Sequence, residues 1–254
     1  PDTAEFTLPM SMRPQAHDII RTWAFYTIAK AHFHQDTIPW RDIVISGHVL
    51  AGKSGKISKS QGGATLTPEK LLEEYPADAV RYWSASAALG TDAAFSDNQI
   101  KIGNKLITKL WNAFRFIGEH TAHAPSLHER PKLDVVNSWA LHHFSNTVSR
   151  YCNAFDKHEY QTALGHAEAF FWEIFCDNYL EMVKDQFFNS DKYDQATITA
   201  TSYVMNEIGF GILQLFAPFV PHITETLYQM YAKQKEHTPS LHNTVLMPDR
   251  FFYH

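Results

Sequence analysis

The sequence has little cysteine, only Cys152 and Cys176 in 254 residues. The two form neither a Cys-x-x-Cys pair nor a Cys/His zinc spacing, and they read as buried free thiols in a reducing cytoplasm. No run of about 18 or more uncharged apolar residues occurs, so no membrane span is expected. The N-terminus lacks the pattern of a signal peptide. Basic charge is not in excess: 22 Lys and Arg stand against 27 Asp and Glu, a formal net charge of -5. Contact with nucleic acid therefore has to come from a local patch. There are 15 histidines, but no His-Glu-x-x-His, and His32/His34 and His142/His143 lack i,i+4 spacing and a third ligand. No protein-bound metal is expected from that spacing.

What is present is a composition 44% hydrophobic and 14% aromatic, that of a folded globular chain. Residues 52 to 63, Gly52-Lys53-Ser54-Gly55-Lys56-Ile57-Ser58-Lys59-Ser60-Gln61-Gly62-Gly63, combine lysines, serines and glycines. Ammonium groups, hydroxyls and closely approaching backbone N–H groups suit a polyphosphate. A solvated surface loop is the bland alternative.

Around this loop the chain falls into two parts. Residues 15 to 33 carry Ile19, Ile20, Trp23, Tyr26 and Phe33 at helical spacing with Pro14 near the start, predicting an amphipathic helix. Asp42 to Ser46 is a short β-branched run predicting a buried strand that ends at Gly47. Thr67-Pro68-Glu69 begins a short helix, and a second runs from about Ala77 to Ala88. Ser96-Asp97-Asn98-Gln99 is a capping box that opens a helix to about Glu119. Beyond the connector Pro125 to Pro131, long helical patterns mark Trp139 to Phe155, Tyr160 to Phe188 and Thr201 to Phe216. Pro218-Phe219-Val220-Pro221 turns into a last helix, Ile223 to Tyr231, and such stripes close into a bundle.

Gly47-His48-Val49-Leu50-Ala51-Gly52-Lys53-Ser54 matches the P-loop pattern G-x-x-x-x-G-K-[ST] letter for letter. A P-loop needs a helix starting at its lysine, whose N–H groups face the phosphates. Lys53-Ser54 instead runs into Gly55 and further Gly and Ser, where a helix is costly, and no apolar strand ending in a magnesium-holding aspartate follows. The P-loop NTPase stays as the minor alternative.

Lys56-Ile57-Ser58-Lys59-Ser60 resembles the Lys-Met-Ser-Lys-Ser signature of class I aminoacyl-tRNA synthetases, with isoleucine in place of methionine. Tyr75-x-Ala77-Asp78-Ala79-x-Arg81-Tyr82 is similar to the stretch that follows it in the valine, isoleucine and leucine enzymes, departing at Pro76 and Val80. Asp18-Ile19-Ile20-Arg21-Thr22-Trp23, Lys109-Leu110-Trp111-Asn112-Ala113-x-Arg115-Phe116 and Pro218-Phe219-x-Pro221-His222-Ile223-Thr224-Glu225 agree. The Asp-Ile-Ile-x-x-Trp form is most like the valine members, with isoleucine or leucine members as the alternative.

The resemblance implies a mainly α fold, a partial Rossmann-like α/β catalytic half followed by an α-helical anticodon-binding bundle. It places residues 1–64 in the second half of the catalytic domain, 65–95 in a stem-contact linking segment and 96–254 in the anticodon-binding domain. The His-x-Gly-His signature is absent, so the chain reads as a C-terminal portion that lacks the N-terminal half of the same enzyme and is inactive alone. The implied substrates are valine, ATP with Mg2+ as its counter-ion, and tRNA(Val). By the same resemblance Lys59 and Lys56 stabilise the leaving pyrophosphate, Ser58 and Ser60 donate to ATP, and the backbone of Gly47 meets adenine. Asp18 and Trp23 line the amino-acid and adenylate pocket, although Trp23 reads equally as a core residue. Lys101, Lys105 and Lys109 recur every four residues, with Arg115 beyond, as a tRNA-facing set or a solvated face. A non-catalytic tRNA-binding module is the other functional reading.

Overall fold

The computed structural model describes residues 8–50, 67–121, 130–236 and 238–251. Two compact units emerge, one of Pro1–Lys70 with Ala87–Ser96, the other of Leu71–Ser86 with Asp97–His254.

In the first unit β1 (Met10–Ala16) and β2 (Trp40–Ser46) run parallel, in register from Met10 with Trp40 to Ala16 with Ser46. Parallel neighbours need a long crossover. Here it is helical: a 3-10 turn at His17–Ile19, wide turns at Ile20–Ala24, then α1 (Phe25–Gln35). Asp36, in the left-handed region at φ 47, ends α1 with its N–H on the His32 carbonyl. β3 (Val49–Leu50) pairs parallel with β4 (Ala93–Ala94).

Two expectations need correction here. Pro14 lies inside β1, where a proline is tolerated because the strand pairs on one side only among the described residues. The helical stripe is real in period, but Ile20, Trp23, Tyr26 and Phe33 are 44%, 48%, 59% and 83% exposed. They face outward, and Trp23 belongs to no core of the described residues.

The second unit is helical. It begins within α2 (Pro68–Glu74), whose first turn, where Thr67 Oγ1 accepts from Lys70 N, still counts with the first unit, and α3 (Ala77–Ala85) follows. α4 (Asp97–Thr121) and α5 (Val135–Asp156) come next, the latter capped by the Asp134 carboxylate on Asn137 N at 2.7 Å. α6 (Tyr160–Ala169), wide turns at Phe170–Tyr179 and α7 (Leu180–Phe188) make one uninterrupted rod. α8 (Gln195–Phe216) is capped by Asp194, and α9 (Pro221–Leu227) continues through Tyr228–Ala232 into α10 (Lys233–Glu236). Leu106, Leu110, Phe144, Val148, Phe171, Phe175, Ile208 and Leu213 are fully buried in a single cluster. Each such side chain contributes roughly 1.5–3 kcal/mol of transfer free energy.

Several polar groups inside this core are paired in series. Tyr179 donates to Asn137 Oδ1 at 2.6 Å, Asn137 Nδ2 to Thr201 Oγ1 at 2.9 Å, and Thr201 Oγ1 to Gln186 Oε1 at 2.7 Å. Tyr82, buried beneath α4, donates to Glu168 Oε1 at 2.8 Å. The C-terminal segment is held by Arg250, whose guanidinium donates to both Glu207 and Glu236 and lies 4.6 Å from the Phe210 ring centroid.

Candidate functional site

In the first unit the carboxyl ends of β1 and β2 lie side by side, Ala16 against Ser46. Open α/β sheets bind their ligands outside such ends. β1 delivers His17 and Asp18 there, and β2 delivers Gly47 and His48. Gly47 is required sterically: a Cβ would stand 2.1 Å from the Thr91 carbonyl oxygen and 2.6 Å from Asp92 N. This close approach lets His48 N donate to Asp92 Oδ1 at 2.7 Å and Ala93 N donate to the His48 carbonyl at 2.8 Å. The strand end is thus fixed by a second segment of the same unit.

Of the residues implied for the small-molecule site, Asp18 is exposed and Trp23 half-exposed, both on the crossover that leaves β1. The Arg13 guanidinium packs 4.2 Å from the Trp23 ring centroid. Beside them a cleft of about 340 Å³ opens between β1 and α1, lined in part by Arg13, Trp23, Lys30, His34 and Trp40. Lys53, Lys56, Ser58, Lys59 and Ser60 lie outside the described residues.

In the second unit Lys101, Lys105 and Lys109 all project from α4, as their spacing predicts. Lys101 and Lys105 are exposed, whereas Lys109 is engaged, with Nζ 3.6 Å from Asp177 and 5.4 Å from the Trp172 ring centroid. Arg115 sits one turn from Glu119, at 3.8 Å. A groove of about 320 Å³ runs along Asn104, Lys105, Thr108, Lys109, Asn112 and Trp172. A larger one of about 450 Å³ lies between α4 and α7, with Lys109, Phe116, Leu180, Lys184 and Phe188 on its walls. Cys176 at its base is a neutral thiol, its pKa pushed up to about 12 by burial. Both cysteines are free, Cys176 buried and Cys152 half-buried. Among the described residues no group of three or more His, Cys, Asp or Glu side chains could hold a metal ion, and no helix is long and apolar enough to cross a membrane.

Two of the family-like motifs meet in the second unit. Asp78 is buried and its carboxylate accepts from the backbone of His222 and Ile223, while Arg81 Nη2 donates to the Pro218 carbonyl at 3.3 Å. Sequence reasoning singles out both segments but assigns neither Asp78 nor Asp92 a role. The signal available for Asp78 is a lone carboxylate among apolar helix positions.

Residues 1–96 match the family "tRNA synthetases class I (I, L, M and V)" and residues 137–252 match "Anticodon-binding domain of tRNA ligase". The chain therefore carries class I tRNA synthetase domains. Among curated relatives it is similar to the valine--tRNA ligase of Rickettsia typhi (strain ATCC VR-144 / Wilmington), 45% identical over 241 residues, 90% of this chain and 29% of that protein. It is similar also to the valine--tRNA ligase of Wolbachia pipientis wMel, 43% identical over 233 residues, 91% of this chain and 26% of that protein. The chain thus spans under a third of the length of these relatives. Two solved structures share the fold. Methionyl-tRNA synthetase of Mycobacterium tuberculosis in its apo form has a TM-score of 0.68 at 20% identity, over 87% of this chain and 43% of that one. The agnB2 LeuRS of Agrobacterium radiobacter K84, in a ternary complex with tRNA and LeuAMS, has a TM-score of 0.65 at 15% identity, over 87% of this chain and 27% of that one.

Proposed function

We propose that this chain works as part of a valine--tRNA ligase, joining valine to ATP as valyl-adenylate and passing the valyl group to tRNA(Val). The observation that carries this reading is the 45% identity to a valine--tRNA ligase across 90% of the chain. In this reading residues 1–64 complete a nucleotide-binding catalytic domain, 65–95 link it to the bundle, and 96–254 bind the anticodon region. The N-terminal half of the same enzyme is the partner that covers the first unit. The exposed Trp23, Phe25, Tyr26 and Phe33 support it, because a helix this apolar on its outer side needs a protein surface against it.

Valine's carboxylate attacks the α-phosphate of ATP, which carries its Mg2+, and negative charge builds on departing pyrophosphate. Lys59 and Lys56 would meet that charge, where stabilisation accelerates chemistry most. Ser58 and Ser60 would donate to the phosphates, Gly47 would offer its backbone to adenine, and Asp18 and Trp23 would line the valine and adenylate pocket. Lys101, Lys105, Lys109 and Arg115 would face tRNA phosphates, in a cytoplasmic enzyme.

Valine-dependent pyrophosphate exchange by the full-length protein tests the reading. Lys59→Ala should lower kcat by about a hundredfold or more. Exchange driven by isoleucine or leucine in preference to valine would overturn the substrate. Binding of tRNA with no amino-acid-dependent exchange would leave a binding module in its place.

A further inference from the structure

The rings of His17 and His48 meet at the carboxyl ends of the two parallel strands. Their centroids are 4.2 Å apart and their planes are inclined at 67°, an edge-to-face contact. We propose that the two histidines are a nucleoside-positioning pair for ATP, with His48 meeting the base or ribose and His17 fixing the plane of the His48 ring. The inference rests on the ATP-dependent reading above.

Three features of the unit carry it. His48 is held at the backbone on both sides, its N–H on Asp92 and its carbonyl on Ala93, so the direction in which its ring leaves the strand end is set. Gly47 permits that grip by admitting the Thr91 and Asp92 backbone at a distance that any side chain would block. His17 is exposed and His48 half-buried, so the pair is packed on one side and open to a ligand on the other. An imidazole offers one donor and one acceptor nitrogen as well as an apolar face, which suits the hydroxyls and ring of a nucleoside. Two residues before His17, Gln15 is 8% exposed, and neither its amide nitrogen nor its amide oxygen has a partner among the described residues. Dehydrated polar atoms of this kind are costly when unmet, and they mark the same strand end as a place where a polar ligand completes the structure.

The test is pyrophosphate exchange by the full-length protein with ATP and valine varied separately. His48→Ala should raise KM for ATP about three- to tenfold, leaving kcat and KM for valine within about twofold, the size expected when one polar or stacking interaction is removed. His17→Ala should raise the same constant by less, and His17→Phe, which keeps an aromatic edge, should return it to the parental value. The double variant should be no worse than His48→Ala alone, because His17 acts through His48. His17 is exposed, so its variants carry the test should His48→Ala fail to fold. An unchanged KM for ATP, additive effects in the double variant, or an equal rise in KM for valine would each overturn the pair while leaving the ligase reading intact. Absence of any ATP-dependent exchange in the unsubstituted protein would remove both.

Discussion

The Asp78 carboxylate on α3 accepts hydrogen bonds from Ile223 N at 2.8 Å and His222 N at 3.3 Å, so a residue far upstream in the chain caps α9. α9 has no cap of its own. Its N-cap, Val220, has no side-chain acceptor, and Pro221 fills the first turn, where a missing N–H costs nothing. The two remaining N–H groups need an anion, and α3 provides it. Asp78→Ala should destabilise the helical unit by about 2 kcal/mol, the upper end for a lost N-cap, read as a lower urea midpoint. A change below about 0.5 kcal/mol would show that water replaces the carboxylate.

Glu168 predicts a pH dependence. Burial raises its carboxyl above the usual 4.5, partly offset by the hydrogen bond from the Tyr82 hydroxyl. A carboxyl that holds its proton more tightly when folded stabilises the fold fully below 4.5, and that contribution is lost as pH rises through the raised value. Glu168→Gln keeps an acceptor for Tyr82 and has no charge to bury. Thermal midpoints of variant and parent should therefore coincide at about pH 4 and diverge at about pH 8 in favour of the variant.

Arg250 joins Glu207 and Glu236, with four donor–acceptor distances between 2.7 and 2.9 Å. Its removal leaves two carboxylates without the guanidinium that donates to both. Arg250→Ala should cost about 2 kcal/mol by denaturant unfolding, less than a fully buried pair because the side chain keeps partial access to water. Arg250→Lys should recover only part of it, since an ammonium cannot serve two carboxylates in one plane.

The α4 lysines divide by environment. Lys101 and Lys105 are exposed, whereas Lys109 is held by Asp177 and Trp172. Neutralising Lys101 or Lys105 in the full-length protein should weaken tRNA binding and reduce the salt slope of log K by about 1 for each phosphate that is no longer neutralised. Lys109→Ala should change the slope less. Equal slopes for all three variants and the parent would make this a solvated face.

The bundle was legible because its information is local. The pattern from Tyr160 to Phe188 predicts one helical run, and the rod covers those residues. Asp134 and Asp194 are local signals that the patterns starting at Trp139 and Thr201 do not use: each is a capping carboxylate directly before its helix, which begins four to six residues earlier than the apolar pattern shows. The β1 strand, Met-Ser-Met-Arg-Pro-Gln-Ala, alternates apolar and polar residues but has no β-branched residue, carries a proline, and runs against its own pattern: Gln15 is buried while Met10 and Met12 are exposed. The outward direction of the α1 stripe was hidden because periodicity reports that a face is apolar, not which surface covers it. The Asp78 cap was beyond reach for a third reason: no pattern within a helical turn or two links a carboxylate to N–H groups 144 and 145 residues away.

Asn137, Tyr179, Gln186 and Thr201 come from α5, the wide turns, α7 and α8, and their hydrogen bonds run in series through the buried interior. Leucine-lined helices can slide past one another with modest loss, since one apolar neighbour replaces another. These four cannot: a shift of one turn, about 5.4 Å, would strand every donor and acceptor in the series. The polar string therefore acts as a vernier for the bundle, setting the axial position of α5, α7 and α8 relative to one another.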